Sequence, residues 1–216
     1  MSLSVMLKQL SGGLLVSCEI FFVTLLFSLP LGLLICFGRM SKKRVIKSIV
    51  KIYISIMRGT PLMLQLMVVY FAPYYAFELR LGSGYRFIAV IIAFVLNYAA
   101  YFAEIYRSGI ESMPLGQYEA AKVLGYSKGK TFFKIILPQV IKKILPPITN
   151  ETITLVKDTS LAQVIAFAEM FTMAERVAAR ESSIMPLFVA GVFYYIFNFI
   201  VMFVMERIEK KLSYYR

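Results

Sequence analysis

Long runs of apolar residues alternate with short polar and basic segments along this 216-residue chain. About 20 apolar residues are enough to cross the hydrocarbon core of a bilayer as an α-helix. Five runs reach approximately this length, at residues 14–37, 61–77, 85–106, 148–167 and 186–205. The pattern predicts an all-α integral membrane protein, with five transmembrane helices in one transmembrane domain that covers residues 1–216.

Two segments between these runs are also predicted to be helical. Residues 45–57 mix lysines with aliphatic residues, which is typical of a helix in the membrane interface. Residues 168–183 carry several charges in a helical pattern, and they are either a solvated linker or a docking surface for another protein.

The connection at residues 107–147 is longer than a simple loop. Glu119 suits the first turn of a helix, and Ala120 is a good helix former. Gly125 suits a helix end. We therefore predict a short helix over residues 118–124, which either docks on another protein or rests on lipid headgroups.

The charge distribution predicts the orientation. The chain has 24 lysines and arginines and a net charge of +12, which in a soluble protein would suggest a nucleic-acid partner. In membrane proteins basic residues instead mark cytoplasmic loops. Segments 39–58, 107–146 and 205–216 hold seven, seven and four of them, whereas the opposite side holds five. We therefore predict an extracytoplasmic amino terminus, a cytoplasmic carboxyl terminus and no nucleic-acid partner.

Composition excludes several classes of site. The chain has no histidine, and both cysteines lie in or beside the first apolar run, so we expect no metal site, haem or disulfide framework. Without histidine or a nucleophile–base set, we do not expect an enzyme. Residues 125–131 look like a phosphate-binding loop, but three residues rather than four separate the glycines. We therefore expect no nucleotide or other cofactor on this chain.

Polar residues within the apolar runs are candidates for a transport site, because charge at mid-membrane is costly unless it faces a cavity or a partner. The candidates are Asn97, Lys157, Asp158, Thr159 and Ser160. An acceptor such as Asp158 and donors such as Lys157 would together suit a zwitterion such as a free amino acid. The alternatives are helix packing for Asn97 and interhelical ion pairs for the charged residues.

Three motifs resemble a known family. Glu119-Ala120-Ala121, Gly125 and Ile136-Leu137-Pro138 resemble the EAA loop of ABC-importer permeases. Residues 58–62 with Gln65, and residues 157–161, are similar to the branch of these permeases that transports polar amino acids. These three motifs, together with the hydropathy pattern, cover most of the chain.

The resemblance implies a type I ABC importer permease in a bacterial cytoplasmic membrane, which imports a polar amino acid by alternating access. Its partners would be a dimer of cytoplasmic ATP-binding subunits, a second permease copy or paralogue, and an extracytoplasmic amino-acid-binding protein. The ATPase-docking residues of the coupling helix would be Tyr118, Glu119, Ala120, Ala121, Leu124 and Gly125. A secondary carrier is the alternative, but no inverted repeat supports it.

Overall fold

The computed structural model describes residues 3–82 and 84–212. The helices of these residues are α1 (Leu3–Arg39), α2 (Arg44–Gly59), α3 (Leu62–Phe77), α4 (Tyr85–Glu111), α5 (Leu115–Val123), α6 (Lys128–Thr131), α7 (Leu137–Asp158), α8 (Met170–Glu181) and α9 (Met185–Leu212). A π-helix (Phe132–Ile136) joins α6 to α7, and a 3₁₀ helix (Thr159–Ile165) follows α7. The prediction of an all-α protein is confirmed.

Three of these helices, α1, α4 and α9, are long and apolar enough to cross a membrane. Helices α2 and α3 meet that test only together, and they are bent by 109° at their junction. The predicted fourth span, residues 148–167, consists of the end of α7 and the 3₁₀ helix rather than one apolar helix. Because this stretch is unusually polar, the count of five spans stays a prediction.

Small residues allow α1 and α4 to approach closely. The buried face of α1 includes Gly13, Ser17, Thr24, Ser28, Gly32 and Cys36, and that of α4 includes Ala89, Ala93, Ala100 and Ala103. A Cβ atom added at Gly32 would lie 2.8 Å from the Cβ of Phe102, so no larger residue fits there. This is the pattern of a packed helix pair in a membrane, where short side chains maximise van der Waals contact.

The two ends of the bundle carry different helices. Helix α8 packs on the first half of α1, where Gly13 touches the backbone of Met170. Helix α5 lies near the last turn of α4, since Tyr118 packs on a cluster that contains Met113 and Ile136. The predicted coupling helix is therefore at the end of the bundle opposite α8.

Glu104 joins three elements at the α5 end of the bundle. Its carboxylate lies 2.6 Å from Arg107, 3.6 Å from Arg39 and 4.0 Å from Arg58, so it connects α4 to α1 and to α2. The half-buried carboxylate is weakly screened by solvent, which strengthens these pairs. Arg107 also pairs with Glu111.

Adjacent glycines in α1 provide a matched test of the close packing. A Cβ at Gly13 would lie 2.7 Å from the Cα of Met170, whereas a Cβ at Gly12 meets nothing within 4 Å. We expect Gly13→Ala to destabilise the protein by about 1–3 kcal/mol through overpacking. Gly12→Ala should be neutral or stabilising, because alanine favours the helix by up to about 1 kcal/mol. Thermal unfolding in detergent measures both, and equal melting temperatures would contradict the close contact.

Candidate substrate cavity and docking helix

A cavity of about 430 Å³ lies between α4, α7 and the junction of α2 with α3. Its lining residues are Thr60, Pro61, Leu62, Asn97, Tyr98, Tyr101, Glu151, Thr154, Asp158 and Leu161. This volume lies in the range of small-molecule sites. The structure therefore brings two of the predicted site residues, Asn97 and Asp158, to one cavity.

Asn97 holds the junction of α2 and α3 against α4. Its side-chain nitrogen donates to the carbonyl oxygen of Met57 at 2.9 Å and to Oε1 of Gln65 at 3.0 Å. Gln65 in turn donates to the Met57 carbonyl at 2.9 Å and to the hydroxyl of Thr60 at 2.8 Å. Both N–H groups of Asn97 are thus used within the protein. The structure supports its packing role, and its contact with substrate stays a prediction.

Asp158 is held by a buried tyrosine. The hydroxyl of Tyr98 donates to Oδ2 of Asp158 at 2.7 Å, and the ring of Tyr98 is buried in the core. The bond joins α4 to the last residue of α7. It fixes the carboxylate at the cavity wall, while the second oxygen of Asp158 has no hydrogen-bond partner among residues 3–82 and 84–212.

Glu151 lines the cavity but is not among the predicted site residues. It lies seven residues before Asp158, with Thr154 between them, so all three lie on one face of α7. Among the described residues that line the cavity, those with charged side chains are these two carboxylates. The helical spacing of 151, 154 and 158 was the signal in the sequence that could have identified Glu151.

The other predicted substrate residues do not line this cavity. Lys157 is exposed on a neighbouring face of α7. Thr159 is fully buried, and its hydroxyl donates to the Val156 carbonyl at 2.8 Å. Ser160 donates to the Lys157 carbonyl at 2.7 Å. These bonds belong to the turn in which the α-helix becomes a 3₁₀ helix, so the role of these residues in binding stays a prediction.

Glu169 immediately precedes α8 and is completely buried, although it lies in a segment predicted to be a solvated linker or a docking surface. Its Oε1 accepts from the backbone N–H of Thr172 at 2.7 Å, and its Oε2 accepts from that of Phe171 at 2.7 Å. These bonds cap the helix. Oε2 also accepts from the hydroxyl of Tyr194 at 3.1 Å, and that hydroxyl lies 3.4 Å from Thr159. Glu169 therefore links α8 and α9 to the segment that follows Asp158.

Burial raises the pKa of Glu169 above its ordinary value of 4.5, and the hydrogen bonds from Thr172 and Phe171 oppose the shift only in part. The folded protein therefore binds a proton at Glu169 more tightly than the unfolded chain does. The stability that this proton provides is fully present below pH 4.5 and is lost as the pH rises through the raised pKa.

The predicted docking helix, α5, begins at Leu115 and ends at Val123. It starts three residues before the predicted start at residue 118 and ends one residue before the predicted end at residue 124. The end is a Schellman motif. Gly125 has a φ of 75°, its N–H donates to the Lys122 carbonyl, and the N–H of Tyr126 donates to the Ala121 carbonyl. The prediction that Gly125 ends this helix is confirmed.

The outward face of α5 exposes apolar side chains beside Glu119 and Lys122. Val123 is 87% exposed, and Leu115 and Leu124 are almost as exposed. Of the predicted docking residues, Glu119, Ala120, Leu124 and Gly125 are exposed, Tyr118 is half-buried and Ala121 is buried. Ala121 therefore serves the packing of α5 on its own chain rather than a free contact surface. An exposed apolar patch of this kind is typical of a protein or membrane interface.

Paired amides fix α5 to α7. Gln117 donates to Oε1 of Gln139 at 2.9 Å, and Gln139 donates to Oε1 of Gln117 at 3.0 Å. The helix is therefore braced against the bundle even though its outward face is open.

Comparison with known proteins identifies the family. Residues 28–214 match the model of the binding-protein-dependent transport system inner membrane component. The chain belongs to this family. It is 38% identical to the L-cystine transport system permease protein TcyB of Bacillus subtilis (strain 168), over 95% of this chain and 87% of that protein. It is 37% identical to the arginine transport system permease protein ArtQ of the same organism, over 93% of this chain and 91% of that protein.

Solved structures of ABC transporters are also similar to this chain. An amino acid ABC transporter crystallised with histidines matches with a TM-score of 0.87 and 29% identity, over 98% of this chain and 99% of that chain. The MetNI methionine ABC transporter has the same fold, with a TM-score of 0.69 and 18% identity over 99% of this chain and 100% of that one. The resemblance to ABC-importer permeases is confirmed, and the chain is a membrane permease subunit rather than an enzyme.

Removal of the buried cap should destabilise the protein. Glu169→Ala leaves the N–H groups of Phe171 and Thr172 and the hydroxyl of Tyr194 without their acceptor. We expect a loss of about 2–4 kcal/mol from the lost cap and the unpaired buried groups, and a melting temperature lower by at least about 5 °C. Glu175→Ala, at an exposed position of the same helix, is the matched control and should change little. A similar effect of both substitutions would contradict the role of the buried carboxylate.

Proposed function

We propose that this chain is the permease subunit of an ATP-driven importer of a polar amino acid. The observation that carries the proposal is the cavity lined by Asp158 and Glu151 in a chain of this transporter family. Two similar proteins are named as permeases for L-cystine and for arginine, and both of these substrates are amino acids. A secondary carrier is not favoured, because the family depends on a binding protein.

The cavity suits the ammonium group of an amino acid. Asp158 has one oxygen bonded to Tyr98, and Glu151 lies two helical turns away on the same wall. Two carboxylates in a partly desolvated cavity attract a cation strongly and form charge-assisted hydrogen bonds with it. Thr60 and Tyr101 add hydroxyl groups to the lining. We infer that the amino group, or a basic side chain, of the substrate lies between Glu151 and Asp158.

The energy would come from other subunits. We propose that α5 docks on a cytoplasmic ATP-binding subunit through Glu119, Ala120 and Leu124, all of which are exposed. A second permease, either a copy or a paralogue, would complete the path across the membrane. A binding protein would deliver the substrate at the opposite end, near α8. ATP-driven closure of the ATPase dimer would then shift the permease pair between its two access states.

The proposed orientation places α5 in the cytoplasm of a bacterium and α8 outside its cytoplasmic membrane. This agrees with the basic residues, which are concentrated near the end of the bundle that carries α5. It also places the amino terminus outside and the carboxyl terminus in the cytoplasm.

Loss of one cavity charge should impair transport without loss of assembly. In Asp158→Asn the amide oxygen can still accept from Tyr98, so the fold is retained while the charge is removed. We expect uptake into proteoliposomes to fall about tenfold or more, because a charge-assisted hydrogen bond contributes about 1.5–3 kcal/mol. Glu151→Gln should act in the same direction.

Glu206→Gln is the matched control, since Glu206 is exposed on α9 and does not line the cavity. Co-purification of the complex shows that assembly is intact. If uptake is unchanged in both Asp158→Asn and Glu151→Gln, the cavity is not part of the transport path.

Charge reversal on the docking helix should uncouple the permease from its ATPase. Glu119→Lys changes an exposed residue at the outward face of α5 without disturbing the buried Ala121. We expect the ATPase to be lost on co-purification and ATP-dependent uptake to be lost with it. Glu206→Lys, on α9, should retain both. Survival of association and uptake in Glu119→Lys would show that α5 is not the docking helix.

A further inference from the structure

Helix α2 has three distinct faces. One face packs on the protein, where Val50, Tyr53 and Ile54 contact α1 and α4. A second face is apolar but exposed, and it consists of Val45, Ile49, Ile52 and Ile56. Their spacing of four, three and four residues places them on one line along the helix. The first face is therefore packed against α1 and α4, and the second face is exposed.

The third face of α2 is basic. Arg44, Lys47 and Lys51 are exposed and share this face with Ser48 and Ser55. Lys42 and Lys43, also exposed, immediately precede the helix. Within residues 3–82 and 84–212, none of these five cations forms an ion pair with a carboxylate. Their charge is therefore available to a partner outside the chain.

The angle between the two exposed faces identifies the partner. Successive residues differ by about 100° around a helix, so the line of Ile49 and Ile52 lies about 150°, or two-fifths of a turn, from that of Lys47 and Lys51. A helix that lies in the interface of a bilayer has this arrangement, with its apolar face in the acyl chains and its basic face among the headgroups. A free anion in solution would leave the apolar face unexplained.

A second copy of the chain does not explain the surface as well. A two-fold contact places the same patch on both partners, and here it would bring two sets of five cations together. Anionic phospholipid satisfies both faces at once, because it supplies acyl chains and negative headgroups at the same surface.

We propose that α2, together with Lys42 and Lys43, is a binding site for anionic phospholipid of the inner leaflet. The proposal rests on the proposed orientation of the permease but not on its substrate. Each basic residue near an anionic surface strengthens binding by a factor of about five.

The bound lipid would also hold the wall of the transport cavity. The last turn of α2 provides the Met57 carbonyl, which accepts from both Asn97 and Gln65, and Arg58 pairs with Glu104 at 4.0 Å. Asn97 itself lines the cavity. A headgroup that fixes α2 in the interface therefore fixes the junction of α2 with α3.

The absence of tryptophan from the sequence makes a direct test possible. Ile52→Trp places a single fluorophore on the exposed apolar face of α2. The full-length permease carrying this substitution is reconstituted into phosphatidylcholine vesicles that contain phosphatidylglycerol. Bromine on either lipid, at equal mole fraction, then reports which lipid lies next to the tryptophan.

We expect brominated phosphatidylglycerol to quench the tryptophan at least about twofold more than brominated phosphatidylcholine does, because the five cations enrich the anionic lipid. Lys47→Gln with Lys51→Gln should remove this excess. Lys8→Gln with Arg80→Gln, which removes two charges from the other side of the protein, is the matched control and should retain it.

Two outcomes would overturn the proposal. Equal quenching by the two lipids would show that α2 touches the bilayer without preference for anionic lipid. No quenching by either would show that the apolar face is covered by protein. Neither outcome depends on uptake, so failure of this proposal is distinct from failure of the proposed transport function.

Discussion

Close contact between α1 and α4 is the constraint on which the rest of this structure depends. Within a membrane, apolar surface gains nothing by leaving lipid, so helices associate through tight van der Waals contact. Gly32 against Phe102, with the alanines of α4, provides such a contact. Helix α4 is thereby fixed at the centre of the bundle. It then presents Asn97, Tyr98 and Glu104 to three different neighbours, each through a polar interaction.

These polar interactions explain why a cavity can persist beside α4. Asn97 holds the junction of α2 with α3 on one side, and Tyr98 holds Asp158 on the other. The walls are therefore fixed by hydrogen bonds that satisfy buried donors, which would be costly to leave unpaired. The carboxylates of Glu151 and Asp158 remain directed at the space between the walls.

Some of this arrangement was predictable from sequence because it depends on local chemistry. Apolar length predicted the helices, and Gly125 ended α5 where a left-handed residue was needed. Burial was not predictable, because it depends on which helix lies opposite. Glu169 looks like a surface residue, yet α9 and α8 enclose it. Thr159 was predicted to contact the substrate, but its side chain is buried in the core where α7 changes to a 3₁₀ helix.

The amide pair between Gln117 and Gln139 has a mechanical consequence. Helix α7 runs from Leu137 to Asp158, a rod of about 33 Å at 1.5 Å per residue, with α5 clamped near its first turn. The helix continues through Pro146 and Pro147, so Gln139, Glu151 and Asp158 all belong to one helix. If an ATPase docks on α5, a displacement of α5 would therefore move Glu151 and Asp158 together, because both residues lie on α7.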